Sequence, residues 1–173
     1  MKLEPRGESA QEALGQELAG LLRPPLILYL EGDLGTGKTT LTRGILRGLG
    51  HRGTVRSPTF TLLEPYDLGT WRLFHLDLYR LADPEELAYL GLRDLLDQDS
   101  VLIVEWPQRG GLALPPADLE IRFAYQAEAR VLEFLPHSPA GKALVAALAA
   151  LRAGHRADSP AGASGVSREV ARH

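Results

Sequence analysis

Cysteine and asparagine are absent from this 173-residue chain, methionine occurs once, and lysine occurs only at Lys2, Lys38 and Lys142. Without cysteine there is no disulfide, no thiolate nucleophile and no Cys-ligated zinc or iron–sulfur centre, so no zinc is expected. No apolar run approaches the roughly 20 residues of a membrane-spanning helix, and the N-terminus lacks the apolar core of a secretory signal. These absences point to a cytoplasmic protein that makes no membrane contact. The formal net charge is −3, so no overall basic field draws the chain to nucleic acid. The shortage of thermolabile residues fits a hot habitat or a GC-rich genome equally.

What is present is ordinary for one globular domain: 45% apolar and 24% charged residues. Ser9 followed by Glu12 has the spacing of a capping box, and Leu14, Leu18, Leu21 and Leu22 continue with helical period until Pro24-Pro25. Leu26 to Leu30 is a short continuous apolar run, hence a buried strand, and a second amphipathic helix is predicted from Lys38 to about Leu49. Phe60–Tyr66 and Trp71–Tyr79 read as a β-hairpin around the turn residues Asp67-Leu68-Gly69-Thr70. Alternation there puts Phe74, Leu76 and Leu78 on one face and His75, Asp77 and Tyr79 on the other. Asp83-Pro84-Glu85-Glu86 opens a helix expected to reach Leu95-Leu96. Val101–Val104 is a second all-apolar strand, Leu119–Tyr125 and Val131–Leu135 a closing hairpin, and Ala140–Leu151 a last helix. The expected division is one domain over residues 1–152 and a disordered tail over 153–173, where composition shifts to Ala, Gly, Ser and Arg without hydrophobic period.

The segment Gly32-Asp33-Leu34-Gly35-Thr36-Gly37-Lys38-Thr39 matches the phosphate-loop pattern in full, between an apolar strand and an amphipathic helix. A polyphosphate needs many donors close to its oxygens. Backbone N–H groups supply them only where glycine lets the chain wrap tightly, and the following helix aims its positive end at the anion. Lys38 is therefore expected on the β- and γ-phosphates and the Thr39 hydroxyl on Mg2+. Residues 32 to 39, with Thr40, form the expected nucleotide-binding set.

Val101–Val104 runs into Glu105. Parallel strands present their carboxyl ends at one edge, where ligands bind, so Glu105 is a second expected Mg2+ ligand. Asp77 is the further carboxylate. It can orient an attacking water, act as a base, hold a metal-bound water, or simply pair with a nearby arginine such as Arg80. His75 is read as a structural hydrogen-bonding residue. Ser57 and Thr59 in Ser57-Pro58-Thr59-Phe60 can sense a γ-phosphate as a switch does, or belong to a plain loop. Trp106 can pack on a nucleotide base or a partner, or be an ordinary half-buried tryptophan.

A GTPase base-reading motif needs asparagine or a Lys-x-Asp run, and an Asp-x-x-Gly switch is also missing, so ATP is expected. An ATPase, a small-molecule kinase and a non-hydrolysing nucleotide sensor all remain open on these residues.

The loop, Ser57-Pro58-Thr59-Phe60, His75-Leu76-Asp77-Leu78-Tyr79-Arg80 and Glu105-Trp106-Pro107 occur in this order. Together they resemble the TsaE (formerly YjeE) family, bacterial ATPases of tRNA threonylcarbamoyladenosine biosynthesis. The resemblance runs from the Ser9 helix to about Leu135. It implies an α/β P-loop NTPase fold of three layers, with a mostly parallel central sheet and antiparallel hairpin additions. It implies weak, partner-dependent hydrolysis of ATP with Mg2+. The implied partners are TsaD, which transfers a threonylcarbamoyl group to tRNA, and TsaB; tRNA would be met only through that complex. The resemblance assigns Lys38 to the phosphates, Thr39 and Glu105 to magnesium, and Asp77 to the catalytic centre. Gln108 departs from the family pattern, which often has an acid shortly after the Glu-Trp-Pro run.

Overall fold

The computed structural model describes residues 1–58, 60–126 and 129–157. Thr59 and the segment 158–173, which holds most of the expected tail, lie outside the described residues.

Among the described residues seven strands form one mixed sheet in the order β1-β7-β6-β2-β5-β4-β3. They are β1 (Lys2–Leu3), β2 (Leu26–Glu31), β3 (Leu63–Asp67), β4 (Arg72–Asp77), β5 (Ser100–Glu105), β6 (Leu119–Gln126) and β7 (Ala129–Pro136). Strands β6, β2, β5 and β4 run parallel; the hairpins β3–β4 and β6–β7, and the β1–β7 pair, are antiparallel. This is an α/β fold with a mostly parallel core and antiparallel additions. Both expected hairpins are present, and the first keeps its turn at Asp67–Thr70, closed by a Gly69 N–H donating to Asp67 Oδ1.

Strand alternation distributes the core over two faces. Leu28, Leu30, Leu73, Val101 and Ile103 point to the face covered by helices α1 (Gly7–Ala19), α2 (Lys38–Gly48) and α5 (Pro139–Ala157). Phe74, Leu76, Leu102 and Val104 point to the other face, under α3 (Glu86–Tyr89), α4 (Leu92–Leu95) and two 3-10 turns at Pro107–Arg109 and Gly111–Ala113. The α1–α2 contact is a backbone-to-backbone one. A Cβ on Gly15 would lie 2.5 Å from the Leu41 carbonyl oxygen, and one on Gly44 would fall on the carbonyl of Glu12. Arg43 braces the pair, its Nη2 and Nε meeting Glu8 at 2.5 Å and Glu12 at 3.2 Å.

Several expected boundaries are corrected. Helix α1 starts at Gly7 with Arg6 as its N-cap, so Ser9 lies inside the helix and forms no capping box. The single helix expected from Asp83 is broken in two at Gly91, whose left-handed backbone (φ 61°) ends one short helix and starts the next. Its start also differs from the expected one: α3 begins at Glu86 with Glu85 as N-cap and no side-chain cap bond, and the Asp83 Oδ1–Glu85 N and Glu86 Oε1–Asp83 N bonds close the turn before it. Helix α5 runs on to Ala157, past the expected helix end at Leu151. The short strand β1 has too little pattern to read in sequence. No helix among the described residues is long and apolar enough to cross a membrane.

Candidate functional site

Strand β2 lies at the middle of the sheet, and the glycine-rich loop follows it directly. Register pairs Leu30 with Glu105 and Asp77 with Glu105, so both carboxylates end their strands level with the start of the loop. Glu105 shares its strand face with Val101 and Ile103, and Asp77 shares its face with Leu73. Both therefore point to the α2 side, where the loop enters the helix. Elementary strand geometry thus gathers residues as far apart in the chain as Thr39 and Glu105, 66 positions.

The loop needs glycine at Gly35 (φ 77°) and Gly37 (φ 98°), left-handed positions that a side chain strains. The Thr36 hydroxyl donates to Asp33 O at 2.7 Å and tightens the turn. Lys38 is folded back over the loop. Its Nζ donates to Gly32 O at 2.6 Å and Asp33 O at 2.8 Å, and sits 4.5 Å from the centre of the Trp106 ring. Burial lowers the Lys38 pKa, opposed by the charges of Glu105, Asp77 and Asp33.

One residue further on, Thr39 Oγ1 lies 2.5 Å from Ser57 Oγ, 3.0 Å from Glu105 Oε1 and 3.3 Å from Glu105 Oε2. Glu105 Oε1 also faces His75 Nε2 at 2.9 Å. A carboxylate only accepts, so Nε2 carries the hydrogen of this bond. Nδ1 is buried without a partner among the described residues. His75 is fully buried and acts as the hydrogen-bonding residue expected from sequence, on Glu105.

Asp77 is 5% exposed and accepts from Tyr79 N at 3.0 Å. Burial raises its pKa; the Tyr79 bond lowers it, the Glu105 charge adds to the rise, and His75 and the Ser57 hydroxyl oppose it. Among the described residues Asp77 forms no ion pair with Arg80, whose guanidinium lies 5.3 Å from the centre of the Phe60 ring.

These groups line one open cavity of about 380 Å3. Of the expected set, Leu34, Gly35, Gly37, Lys38, Thr39, Thr40, Asp77, Glu105 and Trp106 reach it. Gly32, Asp33 and Thr36 serve the loop from behind instead. Trp106, half-buried, is held in a left-handed conformation (φ 58°) that turns its ring over Lys38. Among the described residues no cluster of three His, Cys, Asp or Glu side chains is arranged to hold a metal alone. The available donors (Thr39 Oγ1, Ser57 Oγ and the two carboxylates) are hard oxygens, which suit Mg2+ when phosphate oxygens and water complete its shell.

Sequence reading missed three residues at the loop. Gln11 of α1 donates to the Thr36 carbonyl, Arg130 of β7 donates to Gln11 and lines the cavity, and the Tyr125 hydroxyl donates to Gly35 O at 2.9 Å. None has a local pattern that marks it.

The molecule is an α/β protein whose glycine-rich strand-to-helix loop faces two buried carboxylates at the carboxyl edge of a parallel sheet core. Within that class, the chain belongs to the TsaE family: the family model described as threonylcarbamoyl adenosine biosynthesis protein TsaE matches residues 6–132. Its relatives include the tRNA threonylcarbamoyladenosine biosynthesis protein TsaE of Haemophilus influenzae, 48% identical over 122 residues covering 70% of this chain and 77% of that protein. The TsaE of Bacillus subtilis is 41% identical over 110 residues, covering 64% and 68%. Among solved structures, Bacillus subtilis YdiB superposes with a TM-score of 0.75 at 29% identity, covering 88% of this chain and 95% of that one.

Proposed function

We propose that this protein is a P-loop, Mg2+-dependent ATPase that serves tRNA threonylcarbamoyladenosine biosynthesis by acting on a TsaB–TsaD complex. The observation that carries the reading is the contact of Thr39 Oγ1 with both Ser57 and Glu105 beside the loop, three oxygen-bearing side chains from separate segments converging on one point.

In this reading ATP lays its phosphates along Gly32–Thr39, under the backbone N–H groups and the N-terminus of α2. Lys38 exchanges the neutral carbonyl oxygens of Gly32 and Asp33 for the charged β- and γ-phosphate oxygens, so that the acceptor as well as the donor carries charge. Thr39 and Glu105 would hold Mg2+, which would supply positive charge against the phosphate oxygens. His75 keeps the Glu105 carboxylate turned towards Thr39. Asp77 holds the attacking water and takes its proton while the γ-phosphoryl group leaves ADP. Its raised pKa suits a group that must accept a proton at neutral pH. Trp106 flanks Lys38 and closes one wall of the site.

The protein's action on its partners is docking and release driven by the nucleotide, and tRNA is met only through the complex. The support is family membership and the formal net charge of −3.

An ATPase assay with TsaB and TsaD, added singly and together, tests this. Turnover stimulated only by the pair, and lost in Glu105→Ala while that variant keeps its melting midpoint, is the expected result. Normal hydrolysis by Glu105→Ala with both partners present refutes the metal assignment.

A further inference from the structure

Two groups on the opposite side of the loop from Asp77 and Glu105 are not used by the reading above. Gln11 is fully buried in α1. Its Nε2 donates to Thr36 O and to Gly37 O, both at 3.0 Å. Carbonyl oxygens only accept, so the amide nitrogen must face them, and Oε1 is turned the other way. There it accepts from Arg130 Nη1 at 2.7 Å. Gly37 leaves room for this clamp, because a Cβ at that position would fall on the Gln11 amide. Gln11 thus holds two loop carbonyls with one end and fixes one guanidinium nitrogen with the other.

Arg130 is half-buried and lines the same cavity as Lys38, Thr39 and Glu105. Among the described residues it forms no ion pair, and it also borders a second cavity of about 670 Å3 with Arg6, Tyr125 and Gln126. The sheet order supplies the direction. The loop leaves β2; the carboxylates arrive on β5 and β4 to one side of it, and Arg130 arrives on β7, two strands to the other side. A nucleotide whose terminal phosphates lie towards Glu105 therefore extends its remaining end towards Arg130. A guanidinium offers five N–H donors in one plane, and the Gln11 bond uses only one, so a fork remains for oxygens of a ligand.

We propose that Arg130, aimed by Gln11, is a nucleotide-binding residue that contacts the α-phosphate and nucleoside end. It distinguishes nucleoside di- and triphosphates from short inorganic polyphosphates. The proposal rests on the nucleotide reading of the loop given above. Gln11 is the positioning residue of the pair.

Calorimetric titration of the full chain with ATP, ADP and inorganic pyrophosphate, each with Mg2+, tests it. Arg130→Ala should weaken ATP and ADP about tenfold, equivalent to about 1.4 kcal/mol. Pyrophosphate, which fills only the terminal phosphate positions, should change less than about twofold on the same scale. Arg130→Lys should recover part of the loss, since it restores charge without the fork. Gln11→Met, which leaves the Thr36 and Gly37 carbonyls without their donor, should weaken all three ligands together. If Arg130→Ala shows that uniform pattern, its role is structural and the proposal fails; unchanged ATP and ADP affinity also overturns it. Lys38→Ala separates the two readings. If it leaves ATP binding intact, the loop assignment itself is wrong, whatever Arg130 does.

Discussion

The two faces of the sheet are covered in different ways. One face carries α1, α2 and α5, and its first two helices meet backbone to backbone through Gly15 and Gly44. The other carries two helices of four residues each and two 3-10 turns, with Tyr89 and Leu112 exposed at 91% and 103%. The heavy face holds the phosphate loop: α2 begins at its end, and α1 supplies Gln11 to its carbonyls. The light face is built from the chain that leaves the two carboxylates, since Asp77 leads through Leu78 and Leu81 towards α3, and Glu105 leads through Trp106 into the 3-10 turns. The loop is thus anchored to the most tightly packed part of the molecule. The groups opposite it are joined to a part that makes fewer regular backbone hydrogen bonds. Local opening is drawn from regions of the second kind.

The largest expected effect breaks the heavy face. Gly44→Ala places a Cβ on the Glu12 carbonyl and should cost about 3 kcal/mol of stability, read as a lowered denaturant midpoint. The same experiment should show ATP binding lost in parallel, because separating α1 from α2 withdraws Gln11 from the loop. Leu87→Ala, which empties a buried position of the light face, should cost about 2 kcal/mol. Hydrogen exchange should then rise mainly over residues 78–114, leaving α1 and α2 protected. Exchange that rises equally over both faces would mean that they open as one unit.

Asp77→Asn gives a smaller, pH-dependent effect. A carboxyl whose folded pKa is raised stabilises the fold fully below its unfolded pKa, and that contribution is lost as pH rises through the folded value. Removing the charge should therefore raise the melting midpoint at neutral pH, with a gain that shrinks on acidification, while hydrolysis is lost. A gain that is constant with pH would show that burial of the Asp77 charge is not its source. Leu112→Ser, fully exposed on the light face, should change stability by less than about 0.5 kcal/mol in the same melts.

The loop and Glu105 were legible from sequence because each follows a short apolar run, and such runs are strands whose ends must reach an edge; Asp77 was legible from alternation in its hairpin strand, on the face opposite Phe74 and Leu76. Gly91 was legible only afterwards: a glycine within a helical pattern is often tolerated, and here its left-handed backbone splits the helix. The Ser9–Glu12 spacing misled for a related reason. A capping pair acts only where the helix begins, and contacts with α2 favour a helix that begins at Gly7. Ser57 reads from its neighbours as a switch hydroxyl or as part of a plain loop, and only the tertiary structure brings its Oγ within 2.5 Å of Thr39 Oγ1.

The sequence by itself determined the cradle and its chemistry: glycine where the backbone turns left-handed, a lysine and a threonine at the helix start, and carboxylates ending buried strands. These are properties of a few adjacent residues, set by dihedral sterics and strand alternation. Only the tertiary structure decided which remote side chains stand around that cradle. Gln11 and Arg130 lie 119 positions apart and meet because α1 packs on α2 while β7 folds back beside β6. A hydrogen bond of that span leaves no periodicity in the chain, since its partners are chosen by the packing of whole elements rather than by their neighbours in sequence.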